Sequence, residues 1–173
     1  ELLQSYLLIQ DDWMDGDELR RGKPSVHAAL LSDYPNVHTA NSIAILVSDL
    51  ASAFAEQLLI DSGFGSEACC RAMRAYSKMH QNVICGQYLD VTGTGAIEVV
   101  HHLKTASYTV TGPLLIGAEL ALASEDQLDS LRKFGDKLGL AFQLKDDLIG
   151  TFGKSKSTGK ADNNDIKSGK RTA

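Results

Sequence analysis

Few of the usual markers of a special environment are present. Only three cysteines occur, Cys69, Cys70 and Cys85, with no metal-ligand spacing and no even-numbered framework. That argues against a disulfide scaffold or a zinc module and predicts a reducing, cytoplasmic setting. No block of basic residues forms a stripe for nucleic acid, and Lys and Arg gather only at 20–23 and 154–171, beside acids. No unbroken apolar run approaches the ~18 residues of a membrane-spanning helix, and no signal-peptide pattern is present, so no membrane span is expected. Internal repeats and alternating strand patterns are also lacking. The net charge of −5 is modest for 173 residues, a length that suits one domain or a large piece of one. Glu1 opens into a helical pattern without a cap, and Ala173 follows a polar stretch. The expectation is one partial domain over 1–173, the middle of a longer protein.

What is present reads as helix. Leu3, Leu7, Asp11 and Asp15 fall four residues apart on one stripe. Thr39 or Asn41 is a candidate cap for a helix through "IAILVSDLASAFAEQLLI", which stops at "DSGFG". Ser66 is a candidate cap for the next, closed by Gly93. A further helix is expected over about 96–108, interrupted at "TGP", with Pro113 in the first turn of its continuation. A last one is predicted over about 125–149, with Leu128, Leu131, Leu138 and Phe142 on its apolar face and Asp146 emerging from that face. The fold class is therefore all-α, an antiparallel bundle with short loops. The polar segment 153–165 is expected to be a mobile flap.

The chemistry concentrates in two acidic clusters. "QDDWMDGDELRRGKPSVH", Gln10–His27, holds five acids and four basic side chains directly after an apolar run, and "LKDDLIG" echoes it near the other end. Asp11 and Asp15 lie one helical turn apart, where like charges repel. A bound Mg²⁺ reverses the sign of that effect, because it favours a few carboxylates, waters and phosphate oxygens. A solvated acidic face is the bland alternative, and a lone DDxxD is a weak signal. The context strengthens it. Carboxylates stand next to apolar stretches, with Arg20, Arg21, Lys104, Lys160 and Lys170 nearby in sequence. Metal-binding acids, phosphate-binding cations and a lipophilic interior together suggest a hydrocarbon chain bearing a diphosphate. The histidines His27, His38, His80, His101 and His102 read as surface or core residues, since the diphosphate leaving group can itself serve as base.

Five motifs in order carry a resemblance. "DDWMDGDELRRGKPSVH", "GQYLDV" (86–91), "KTASYTVTGPLLIGAELA" (from Lys104), "AFQLKDDLIGTFG" and "TGKADNNDIKSGKRT" (from Thr158) resemble the signature segments of the trans-isoprenyl diphosphate synthases. That resemblance implies the isoprenoid-synthase helical bundle, incomplete at both ends, and a Mg²⁺-dependent head-to-tail condensation of isopentenyl diphosphate with an allylic diphosphate. It implies Asp11, Asp15 and Asp146 as metal ligands for about three Mg²⁺ ions, with Mn²⁺ able to substitute. Asp12 and Asp147 would stand beside them. Arg20, Lys104 and Lys160 would hold the allylic diphosphate, with Lys170 nearby, and Arg21 the isopentenyl diphosphate. Lys104, Thr105 and Gln143 would form the catalytic region where allylic cation character develops. A homodimer with interface helices in 40–92 is implied as well.

The resemblance has gaps. Gly150 stands where many members carry a third Asp, and the family's basic Gly-Lys-x-x-Arg segment would precede Glu1. A class I terpene cyclase would need Ser or Thr at Gly150 and Glu at Lys154, so two of three ligands of its second metal site fail. A non-catalytic regulatory subunit usually loses aspartates, and this chain keeps its first motif whole. A product of about C20, with C15 second, is expected from Tyr6, five residues before Asp11 and ~7.5 Å deeper along the helix.

Overall fold

The computed structural model describes residues 1–152, with side chains through Ile149. The predicted flap 153–165, Lys160 and Lys170 lie outside the described residues. The chain divides into two compact units, which among the described residues are 1–58 and 59–152.

The first unit begins with α1 (Leu2–Asp15). Gly16, at φ 68, ends it in the left-handed conformation, and its N–H and that of Asp17 return to the Asp12 carbonyl. Asp15 is therefore the last helical residue. A short antiparallel hairpin follows, β1 (Leu19–Arg20) and β2 (Lys23–Pro24), with Arg20 paired to Lys23. Its two central residues, Arg21 (φ 53) and Gly22 (φ 74), both have positive φ, the requirement of a tight two-residue turn that follows the twist of its strands. This hairpin is the only sheet among the described residues. Two-residue strands leave no alternation to read, so the sequence did not disclose it. After α2 (Val26–Ala29) and a 3₁₀ turn (Leu30–Ser32) comes α3 (Val37–Ile60), which runs two residues past the unit boundary. Its cap is Asn36, whose side-chain oxygen accepts from the Thr39 N–H at 3.0 Å, rather than Thr39 or Asn41.

α3 corrects one expectation. It is long and apolar enough to cross a membrane by length and composition, and only 11% of its apolar window is buried. Counting unbroken apolar runs missed it because Ser48, Asp49, Ser52 and Glu56 punctuate the stretch. Ala40, Ala44 and Ser48 are buried, each four residues from the next. Beside them Val47, Leu50, Phe54 and Leu58 form an exposed stripe at helical spacing.

The second unit contains α4 (Ser66–Thr92), α5 (Ile97–His101), a π-helical segment (His102–Thr111), α6 (Gly112–Leu120) and α7 (Glu125–Phe152). Gly65, not Ser66, occupies the N-cap of α4, while Gly93 closes it at φ 65. The interruption expected at "TGP" is instead a change of helix type: the π segment ends at Thr111 and runs directly into α6, with Pro113 in its first turn. Leu128 is buried, but Leu138 and Phe142 are 46% and 48% exposed, so the predicted apolar face of α7 is only partly a core face.

The π segment packs against both α4 and α7. Two glycines permit the approach. A Cβ at Gly86 of α4 would lie 2.7 Å from the Cα of Lys104, and one at Gly139 of α7 would lie 2.7 Å from the Cα of Ala106. Neither backbone can retreat cheaply, since each is part of a helix. Gly86→Ala should therefore lower stability by about 1–3 kcal/mol through overpacking. A urea unfolding midpoint equal to that of the unmodified protein would contradict the close approach.

Candidate functional site

The acids of α1 are local products of helix geometry. Asp11 and Asp15 share one face, one turn apart, and the helix ends at Asp15 with no basic residue in its last turn. Three carboxylates thus crowd the negative end of a helix dipole, an arrangement that costs stability unless a cation approaches. Asp15 is exposed, Asp11 half-buried and Asp12 buried at 3% exposure.

Asp12 is engaged by the hairpin. Arg20 Nε donates to Asp12 Oδ1 at 2.8 Å, its Nη2 contacts the same oxygen, and that Nη2 lies 3.6 Å from Asp11 Oδ2. Burial pushes the Asp12 carboxyl above the ordinary Asp range, and the hydrogen bond and charge of Arg20 offset this only in part; Asp11 and Asp17 add repulsion. Burial alone would lower the Arg20 pKa, but the hydrogen bond and charge of Asp12, with Asp11 and Asp17, leave it raised and the guanidinium fully charged. Arg21 sits exposed at the hairpin turn, held there by the positive φ that the turn demands.

Immediately before Asp11, Gln10 Nε2 donates to Ser48 Oγ at 3.1 Å and reaches Asp49 Oδ1 at 3.4 Å. These contacts tie α1 to α3 within the first unit. Tyr6 is buried at 7% exposure. Burial, and then the negative charge of Asp49, push its phenol above the ordinary tyrosine value.

The second unit brings together a different set. Lys104 and Thr105 lie in the π segment, both half-buried. Lys104 Nζ forms an ion pair with Asp90 Oδ2, with 17% and 19% of the two side chains exposed. Asp90 carried no assigned role in the sequence reading, although it is the acid of the "GQYLDV" segment, and that motif was the signal that could have found it. On α7, Asp146 is exposed, whereas Asp147 is 9% exposed. Gln143 Nε2 donates to Asp147 Oδ1 at 2.6 Å, and His101 Nε2 lies 3.4 Å from Asp147 Oδ2. His101 is thus a buried partner of an acid and not an idle core residue.

The two Asp-Asp pairs therefore share a pattern, each within its own unit. The first acid of the pair is the more accessible, and the second is buried and engaged by protein donors. Among the described residues no three His, Cys, Asp or Glu side chains form a ready-made metal cage. The donor set nevertheless fits Mg²⁺, which is usually held by one or two carboxylates together with substrate phosphates and waters.

The chain matches the family model described as polyprenyl synthetase over residues 1–173. It is 32% identical over 177 residues to the short chain isoprenyl diphosphate synthase of Methanocaldococcus jannaschii, covering 99% of this chain and 51% of that protein. It is 34% identical over 181 residues to the geranylgeranyl diphosphate synthase of Mycobacterium tuberculosis, covering 99% of this chain and 48% of that protein. Its structure is similar to that of the geranylgeranyl pyrophosphate synthase of Corynebacterium glutamicum complexed with isoprenyl diphosphate and magnesium. That likeness has a TM-score of 0.91 at 39% identity, over 99% of this chain and 52% of the other. The chain spans about half the length of the relatives it matches. Helical architecture, motif order and the unbroken match agree: the chain belongs to the polyprenyl synthetase family.

Proposed function

We propose that the protein is a Mg²⁺-dependent prenyltransferase. It joins isopentenyl diphosphate head to tail to an allylic diphosphate, giving a trans-prenyl diphosphate of about C20, with C15 second. The observation that carries this reading is the acidic end of α1. Three carboxylates stand at the negative pole of a helix, one of them buried against Arg20, in a chain that otherwise follows ordinary helix rules. The family match over 1–173 supports the two units acting as one catalytic domain.

Asp11 and Asp15, with Asp146 from the second unit, would hold the metal ions. Bound there, Mg²⁺ neutralises charge that builds on the departing diphosphate. Arg20 uses part of its five-donor fork on Asp12 and retains further N–H groups for phosphate oxygens. Lys104, steadied by Asp90, adds fixed positive charge to the allylic diphosphate; by the resemblance Lys160 and Lys170 would serve the same diphosphate, and Arg21 the isopentenyl diphosphate. As the allylic C–O bond breaks, the oxygens of Thr105 and Gln143 face the cation in a site closed to water. The alkene of isopentenyl diphosphate forms the new C–C bond, and the proton it loses passes to the diphosphate that has left. No histidine is required for that transfer.

Product length is assigned to Tyr6, whose buried ring on α1 lies below the acids in sequence. The test is incubation of the protein with Mg²⁺, isopentenyl diphosphate and each allylic primer, with products identified by mass. The unmodified protein should give mainly C20. Tyr6→Ala should lengthen the main product by at least one isoprene unit. Absence of any condensation product would sink the reaction assignment, and an unchanged distribution at retained activity would sink the role of Tyr6.

A homodimer is proposed from α3. Its stripe of Val47, Leu50, Phe54 and Leu58 leaves each residue 43–63% exposed, a contiguous apolar face of the kind that marks an interaction site. A second copy of this chain is the proposed occupant; the resemblance, which implies interface helices in 40–92, supports it. Leu50→Glu with Phe54→Glu should halve the mass seen by sedimentation equilibrium. An unchanged dimer mass, or partition of the unmodified protein into vesicles, would contradict it.

A further inference from the structure

We propose that Asp147 and His101 are positioning residues that fix the side-chain amide of Gln143, so that its oxygen is the end presented to the developing allylic cation. The inference rests on the prenyltransferase reading and assigns a task to two residues that it leaves without one. Asp147 follows Gln143 by four residues on α7, so the two side chains lie on one face. The carboxylate is buried at 9% exposure, and a buried carboxylate must be met by donors. Its two oxygens are met separately. Gln143 Nε2 reaches Oδ1 at 2.6 Å, and His101 Nε2 stands 3.4 Å from Oδ2.

The chemistry of the pair fixes the amide. A carboxylate accepts hydrogen bonds and cannot donate, so the atom of Gln143 that faces it has to be the NH₂ group. Oxygen and nitrogen lie on opposite sides of the amide carbon, which turns Oε1 away from Asp147. An unrestrained glutamine would rotate freely between the two ends. Held this way, it offers a fixed negative dipole end that needs no reorientation as positive charge develops. His101 Nε2 stands 3.4 Å from the second carboxylate oxygen, and His101 ends α5 immediately before the π segment that carries Lys104 and Thr105. Asp147 therefore ties the amide on α7 to the start of the segment with which it is proposed to act. Asp146, the next residue, is exposed and takes no part in this cluster.

A double-mutant cycle tests the claim. Gln143→Leu and Asp147→Ala should each lower kcat by about 10- to 100-fold, as loss of an orienting partner typically does. KM for both substrates and the Mg²⁺ concentration for half-maximal rate should change far less. The double variant should be no slower than Gln143→Leu by more than about 2-fold, because Asp147 acts through Gln143. His101→Gln, which keeps a donor, should retain more of the rate than His101→Ala. Multiplicative losses in the cycle, or a raised Mg²⁺ requirement for Asp147→Ala, would overturn the proposal and make Asp147 an independent ligand.

A second readout does not depend on turnover and holds even where Asp147→Ala fails to fold. By NMR, the Nε2 protons of Gln143 in the unmodified protein should exchange with solvent more slowly than those of exposed Gln127, and His101→Ala should speed that exchange. Equal exchange rates in the unmodified protein would overturn the positioning. Slow exchange in a protein that forms no prenyl product would leave the positioning standing and remove the prenyltransferase reading instead.

Discussion

Negative charge at the wrong end of a helix is the constraint around which the first unit is built. The last five residues of α1 include Asp11, Asp12 and Asp15, and its last turn has no basic residue, where the helix dipole favours cations. Each like-charge neighbour costs a few tenths of a kcal/mol on an isolated helix. Chains seldom keep such an arrangement for stability alone. Here the hairpin returns Arg20 to Asp12, which is buried against it, and brings the same guanidinium to 3.6 Å from Asp11. Asp11 and Asp15 stay at the end of a helix anchored to α3 through Gln10, with little freedom to move apart. Rigidity of that kind suits carboxylates that must share a divalent ion.

The second unit solves a related problem with close packing. Lys104 lies in a partly buried place, and Asp90 pairs with it there. The π segment that bears it is wide, and wide helices leave irregular backbone that neighbours must accommodate. Glycines on α4 and α7 let that backbone approach within van der Waals limits, at Lys104 on one side and Ala106 on the other. Thr111 adds a hydrogen bond to Asp136 of α7 at 2.9 Å. The segment is thus fixed by contacts from two directions before any substrate arrives. Preorganised charge of this sort is what an ionising diphosphate ester requires.

Much of this was legible in the residues. The stripe of Leu3, Leu7, Asp11 and Asp15 gave α1 and the shared face of its acids, because helical period needs only sequence spacing. Gly93 and Pro113 marked their positions through backbone chemistry that is local. What stayed hidden depends on partners distant in sequence. Asp90 meets Lys104 from another helix, and Asp147 meets His101 from another, so neither pairing could be read from spacing. The Arg21-Gly22 turn escaped notice because strands of two residues carry no period. Asn36 was overlooked as a cap since the apolar pattern it precedes begins several residues later. The outward faces of Leu138 and Phe142 show the limit of reading burial from period alone, for a stripe can be apolar and still lie uncovered.

The central claim is that the acids of α1 are kept against local stability for the sake of a bound cation. Thermal unfolding of the protein and of Asp11→Asn with Asp15→Asn, each with and without Mg²⁺ and inorganic diphosphate, tests it most directly. Without ligand the double variant should unfold at a higher temperature than the unmodified protein, by a few degrees at most. With Mg²⁺ and diphosphate the unmodified protein should gain stability and the variant should gain little. A variant that is less stable without ligand, yet gains as much as the unmodified protein when Mg²⁺ and diphosphate are added, would contradict the account.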